Sequence, residues 1–245
     1  MKGYNVEGYV HSVETGGMVD GPGIRYVVFF AGCSLRCKYC HNPDTWKHKD
    51  DQLVTVGDMI RDIKKYKSYL KFSKGGVTVT GGEALMQPEF LVELLAACKD
   101  TGLHTVLDTS GHGSMATARK ALMHTDLLLL DIKSINPIIY KELTGGSLKP
   151  TLEILKLSEH MEIPVWVRYV IVPGYTDNMD DIQQLADFLR PFRNITKIEV
   201  LPFHKMGEYK WDELGMAYEL RDVEPPSREV VERAKGILGQ RYEEI

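Results

Sequence analysis

Gly76–Thr101 reads GVTVTGGEALMQPEFLVELLAACKDT. The run opens on β-branched residues, turns on a pair of glycines, and continues at helical period behind a proline. GVTV at Gly76–Val79 predicts a strand. Pro88–Thr101 predicts a helix, with Pro88 at the position where a helix best tolerates proline. Working outward, further strands are expected at Ile24–Ala31, Thr105–Asp108, Leu127–Ile132, Pro164–Val172 and Lys197–Pro202. Each is nearly continuous in apolar character, as strands buried on both faces are. Helices are expected at Val56–Leu70, Met115–His124, Thr151–Met161 (starting after Pro150), Met179–Phe188 and Arg228–Gly239. Six strands alternating with helices imply right-handed βαβ units and a parallel sheet, an α/β fold.

A doubly wound open sheet carries the same local signature. The polar residues favour a partial (β/α)6 TIM-like barrel with outer helices. They fall at strand ends or just beyond them: Cys33–Cys40, Gly81-Gly82-Glu83, Asp108-Thr109, Asp131 and Lys133, and His204, with Arg168 inside a strand. Barrel enzymes build their sites on that rim. No repeat or linker divides the 245 residues, so one domain is expected, with a barrel core over about 24–204, an N-terminal lead-in and a C-terminal helix. Gly207–Pro226 is rich in turn residues and is expected to wrap the exterior.

Hydrophobic residues make up 43% of the chain, enough for a full core, and the net charge of −4 argues against capture of nucleic acid or an anionic membrane. No export signal or membrane-spanning run is read, and a reducing cytoplasm is the expected compartment.

Three of the four cysteines, Cys33, Cys37 and Cys40, lie in GCSLRCKYCHN with C-x₃-C-x₂-C spacing. Clustered cysteines without an export signal read as metal ligands, not disulfides. Four thiolates normally hold an Fe–S cube, so three leave one iron open to a small molecule. The plainer reading is structural zinc with His41 or Cys98 as fourth ligand, but zinc motifs bring a second half that is missing here. Cys98, alone on a helix, reads as a packed thiol.

Glycines at Gly81 and Gly82 make a tight turn or let backbone approach a ligand, and Glu83 is placed to accept from an amino group. Asp20 sits in Asp20-Gly-Pro-Gly23, a turn or a substrate-contacting loop. Asp108 and Asp131 end strands, where a buried carboxylate needs a partner, a cation or water. Arg168 is expected to pair with Asp131, Glu199 or a ligand. His204 follows the last strand. His11, His48, His112, His124 and His160 show no ligand-like spacing.

CSLRCKYC, with Tyr39 before its last cysteine, resembles the cluster motif of the radical S-adenosylmethionine (SAM) superfamily, and Gly81–Glu83 resembles that superfamily's motif for the methionyl amino group. Within the superfamily, most of the chain is similar to the pyruvate formate-lyase activating family. The similar stretches are GYVHSVETGGMVDGPGIRYVVFFAGC, YCHNPDTW, GGVTVTGGEALMQPEF, HTVLDTSG, DLLLLDIK, VWVRYVIVPGYTDN and KIEVLPFHKMGEYKW.

The resemblance implies that Cys33, Cys37 and Cys40 bind a [4Fe-4S] cluster whose open iron chelates S-adenosylmethionine. It implies adenine contacts near Tyr39, Cys40 and His41, methionyl contacts at Gly81, Gly82 and Glu83, and further cofactor contacts at Asp131, Ile132, Lys133 and His204. Asp108, Thr109, Asp131 and the backbone of Leu129 would suit a monovalent cation, and Asp20 and Arg168 would meet the partner's glycine loop. The implied reaction is reductive cleavage of the cofactor to methionine and a 5′-deoxyadenosyl radical, which takes hydrogen from a glycine of pyruvate formate-lyase. A flavodoxin- or ferredoxin-like donor and a monomeric enzyme are expected. With only four cysteines, the chain lacks the ferredoxin-like insertion of some other glycyl-radical activases. The alternatives are an activase of another glycyl radical enzyme, a small-molecule radical enzyme such as a deazaguanine synthase, or a non-catalytic metal-binding module.

Overall fold

The computed structural model describes residues 3–47 and 52–239; His48 lies outside them. In chain order the strands are β1 (Glu7–Gly17), β2 (Arg25–Phe30), β3 (Gln52–Thr55), β4 (Gly76–Gly81), β5 (His104–Thr109), β6 (Leu127–Asp131), β7 (Val165–Ile171) and β8 (Ile195–Pro202). The helices are α1 (Val56–Phe72), α2 (Pro88–Asp100), α3 (Met115–Leu122), α4 (Pro137–Thr144), α5 (Leu148–His160), α6 (Met179–Leu189), α7 (Glu208–Glu213) and α8 (Arg228–Gly239).

All six expected strands and six expected helices form. Two strands were not expected. β1 keeps only a few of its side chains buried, so it carries no apolar run to betray it. β3 has four residues, two exposed and two half-buried. α4 is also new, although its start and stop signals are ordinary: Asn136 caps it, Pro137 opens it, and Gly145 ends it at φ 71°. α5 begins at Leu148, capped by Ser147, so Pro150 sits within its first turn and not ahead of it. Gly207–Pro226 is not all turn, since it contains α7.

The chain falls into two compact units, Met1–Ser34 with Thr45–Leu129, and Leu35–Asp44 with Leu130–Ile245. In the first, the strand order is β3-β1-β2-β4-β5-β6, with β6 contributing Leu127–Leu129. β1 pairs antiparallel with β2 and β3, while β2–β4 and β4–β5 are parallel. In the second, Leu130–Asp131 of β6 precede β7 and β8, and β7–β8 is parallel. From β2 onward the helix-connected strands follow chain order with no reversal, which is barrel winding; a doubly wound sheet reverses at a switch point. Among the described strands, β3 and β8 stand at the two ends of the order.

Each unit carries its own core. In the first, Val27, Val28 and Phe30 of β2, Val77 and Val79 of β4, and Val106 and Leu107 of β5 are essentially inaccessible. Phe30 meets Phe90 of α2 with ring centroids 5.1 Å apart. A Thr55–Asp58 capping box starts α1. In the second, β7 alternates buried and half-buried residues, with Val165, Val167, Tyr169 and Ile171 inside. That alternation leaves Arg168 half-buried on the other face.

Candidate active site

In the first unit, registers Phe30–Gly81 and Val79–Leu107 bring the C-terminal ends of β2, β4 and β5 to one edge. The chain leaves β2 through Ala31 and Gly32, whose carbonyl oxygens accept from Gln87 Nε2 at 2.9 Å and Glu83 N at 2.8 Å. Gly81 has φ 122°, a conformation glycine adopts without strain. A Cβ on Gly82 would overlap the Gly32 carbonyl and lie 3.1 Å from Cys33 Cβ. The glycine pair therefore lets one loop lie against the start of the cysteine loop.

Glu83 is 2% exposed. Its Oε1 accepts from the Thr109 hydroxyl at 2.5 Å and Leu85 N at 3.1 Å; Oε2 accepts from Ser110 N at 3.0 Å and the Ser110 hydroxyl at 2.6 Å. Burial pushes its carboxyl upward, and these donors pull it back. Both oxygens are thus engaged by the chain itself, which the sequence does not reveal. Asp108 accepts from the Thr80 hydroxyl at 2.7 Å. His112, read as a bystander, bonds through Nδ1 to the Ser34 hydroxyl at 2.8 Å, next to Cys33. Asp20 accepts through its backbone carbonyl from Thr78 at 2.7 Å. Leu129 is fully buried.

In the second unit, Arg36 N and Lys38 N donate to the carbonyls of Thr144 and Leu143, so the end of α4 carries the cysteine loop. Cys40 N donates to Cys37 O at 3.0 Å, closing a turn between two thiols. Lys133 Nζ stands 5.5 Å over the Tyr39 ring. The same ammonium contacts Asp131 Oδ2 at 2.7 Å, and Arg168 Nε donates to Asp131 Oδ1 at 2.8 Å. Burial would raise the Asp131 carboxyl, but Arg168 and Lys133 hold it well below the usual carboxylate range. Burial alone would lower the Lys133 pKa, but Asp131 raises it well above its usual value. Of the partners expected for Arg168, Asp131 takes it; Glu199 pairs with Lys197 at 2.5 Å. Ile132 is buried and donates its N–H to Arg168 O.

His41 and His204 stack with centroids 4.2 Å apart. His41 Nε2 lies 3.1 Å from the His204 carbonyl, so that nitrogen carries the proton. Burial lowers the His41 pKa below its usual value. Nδ1 of His204 and the hydroxyl of Tyr39 are buried with no hydrogen-bond partner among the described residues. Sequence reasoning missed Lys210 and Trp211, which bond to Asn42 Oδ1 and the Cys40 carbonyl, each at 2.9 Å. Their signal was present in KMGEYKW.

None of the four cysteines is in a disulfide. Cys98 is fully buried, and burial pushes its thiol up to about 12, which suits a packed thiol and not a zinc thiolate. Among the described residues no three His, Cys, Asp or Glu side chains gather as for a single ion. The ligands of a four-iron cube bind different irons. No described helix is long and apolar enough to cross a membrane.

The family model described as the Radical SAM superfamily matches residues 27–189, and this places the chain in that class. The chain is 46% identical over 224 residues to the pyruvate formate-lyase-activating enzyme of Clostridium pasteurianum, covering 91% of this chain and 94% of that one. It is 49% identical over 242 residues to the enzyme of the same name from Staphylococcus aureus strain USA300, covering 94% of each. A solved domain of pyruvate-formate lyase-activating enzyme from Bacteroides vulgatus superposes with a TM-score of 0.57 at 26% identity, over 68% of this chain and 94% of that one. The chain belongs to the pyruvate formate-lyase activating family of the radical SAM superfamily.

Membership brings a [4Fe-4S] cluster and S-adenosylmethionine. The residues present fit them. In the first unit Gly82 leaves no room for a side chain against Gly32 and Cys33; in the second, Cys37 and Cys40 share one turn, and the buried His204 Nδ1 has no hydrogen-bond partner among the described residues.

Proposed function

We infer that this chain activates pyruvate formate-lyase by placing a radical on one of its glycines. The observation that carries this is identity of 46–49% over more than nine-tenths of this chain and of each relative. When bound, the cluster and S-adenosylmethionine supply the radical chemistry that removes the glycine hydrogen.

Cys33, Cys37 and Cys40 hold the cluster in this reading, supported by their spacing and by the Cys37–Cys40 turn. Gly81 and Gly82 offer backbone to the methionyl amino group, with Glu83 bracing the loop behind them. Tyr39, Cys40 and His41 line the adenine, His204 meets the adenosyl portion through its open nitrogen, and Ile132 and Lys133 follow Asp131 at the cofactor. Asp108, Thr109, Asp131 and the Leu129 backbone hold a monovalent cation, for which Asp131 exchanges one of its present cationic partners. Asp20 and Arg168 meet the glycine loop of the lyase. The chain works as one radical SAM domain over 1–245, a reading supported by a family match that runs across both compact units. It acts as a monomer in the cytoplasm, and a flavodoxin- or ferredoxin-like protein supplies the electron.

Electron paramagnetic resonance tests this reading. Anaerobic mixing of reconstituted protein, reductant, S-adenosylmethionine and pyruvate formate-lyase should give a glycyl radical doublet. Cys37→Ala should give neither the doublet nor 5′-deoxyadenosine while the far-UV spectrum stays native. An intact cluster that cleaves the cofactor yet leaves the lyase silent would overturn the choice of substrate.

A further inference from the structure

The segment after β8 does not merely pack against the exterior; it grips the end of the cysteine loop along Cys40–Asp44. Trp211 is 5% exposed and donates its indole N–H to the Cys40 carbonyl at 2.9 Å. Gly207 lies so close to His41 that a Cβ there would stand 2.7 Å from His41 Cα. His41 is also held by the His204 carbonyl and ring. Lys210 Nζ reaches Asn42 Oδ1 and Asp44 Oδ2, each at 2.9 Å.

The grip is itself braced. Trp211 packs against Tyr218 in a tilted arrangement, centroids 5.3 Å apart, and its carbonyl accepts from Met216 N at 2.8 Å. Arg221 pairs with Glu208 at 3.1 Å and with Asp212, across the length of α7. Lys205 Nζ donates to the Arg221 carbonyl at 3.0 Å.

We propose that α7 and its flanks form a clasp that fixes where Cys40 stands, with Trp211 as the positioning residue. The proposal rests on Cys40 being a cluster ligand. A thiolate goes where its backbone goes. The Cys40 amide donates to Cys37 O within the loop, and the indole ties its carbonyl to an element outside it. Residues 40–44 are therefore ordered before iron arrives, and the entropy of ordering them is not charged against cluster binding. The short side chain at 207 belongs to the same device, because any Cβ would push the clasp away from His41.

The test uses the full chain, reconstituted anaerobically with iron and sulfide. Trp211 is replaced by benzothienylalanine, which keeps the indole shape and lacks the N–H; Gly207→Ala is the second variant. Tyr209→Ala, on the exposed side of α7, is the control. Far-UV spectra and thermal melts establish that each variant folds. Both clasp variants should load four irons but lose them to a chelator faster than wild type, about five-fold for the Trp211 variant, the factor expected for one buried hydrogen bond. The resonance of the reduced cluster should shift in the same two variants and not in the control. Wild-type protein that takes up no iron and sulfide overturns the cluster assignment and the clasp with it. Wild-type protein that loads normally, with clasp variants matching it in chelation rate and resonance, overturns the clasp alone.

Discussion

Arg168 donates Nε–H to Asp131 Oδ1 at 2.8 Å while Lys133 holds the other oxygen, so one carboxylate serves two half-buried cations. The residue proposed to meet the partner's glycine loop is thereby tied to one proposed for the cofactor side. A perturbation at either end reaches the other through Asp131.

The two cations make the triad asymmetric towards mutation. Asp131→Asn leaves two half-buried cations facing a neutral amide and should cost about 2–3 kcal/mol, less than for a fully buried pair. Arg168→Met leaves the Asp131–Lys133 pair intact and should cost about 1–2 kcal/mol. Urea midpoints of the apo chain rank the two. In the activity assay, Arg168→Lys should harm glycine activation more than uncoupled cofactor cleavage, because lysine lacks the planar fork.

Glu83→Gln tests the brace behind the glycine pair. Whichever way the amide turns, its NH₂ group faces a backbone N–H that cannot accept, that of Leu85 or that of Ser110. The expected loss is about 2–3 kcal/mol, read from the denaturant midpoint. Calorimetric titration of the reconstituted protein should show weakened S-adenosylmethionine binding. Unchanged stability would mean that the carboxylate does not brace the loop.

Gly82→Ala forces a methyl group onto the Gly32 carbonyl, beside Cys33. Displacing that backbone should cost about 1–3 kcal/mol. Iron content after reconstitution should fall, because the strain arrives at the first ligand. A variant that loads as wild type would show that the two loops need not touch.

A pH effect comes from a buried network at the starts of β2 and β5. Arg25 is fully buried, its guanidinium lowered to about 10 by burial but still charged at pH 7. Its Nη1 donates to His104 Nδ1 at 3.2 Å, and its Nη2 to the Val77 carbonyl at 2.6 Å. Burial, and then Arg25, push the His104 pKa below its usual value. The folded state therefore binds fewer protons than the unfolded state as pH falls through about 6.5. Stability is full above that pH and declines below it, by at most about 1.4 kcal/mol per pH unit for this one group. His104→Gln keeps an acceptor for Arg25 and should flatten the decline between pH 7 and 5.5, as measured by urea denaturation. Parallel curves for variant and wild type would remove His104 as the cause.

Much of the site was legible in the linear chain. Cys33, Cys37 and Cys40 stand on one loop by spacing alone, and Gly81-Gly82 marks a close approach that the structure realises against Gly32. The strands were equally plain, because residues buried on both faces leave a continuous apolar run. β1 was hidden for the opposite reason: most of its side chains meet solvent, and what makes it a strand is pairing with β2 and β3. The donors that engage Glu83 were hidden from the sequence, because they come mainly from Thr109 and Ser110. No local pattern announces a partner more than twenty positions away.

The sequence by itself determined the alternation of strand and helix, the three-thiol loop and the family, because periodicity, spacing and motif identity are local properties. Tertiary structure alone decided that the strands wind in barrel order, that Arg168 takes Asp131 and not Glu199, and that α7 closes on Cys40–Asp44. Each of those outcomes is a choice among several chemically acceptable partners. Only the folded backbone brings one of them within reach.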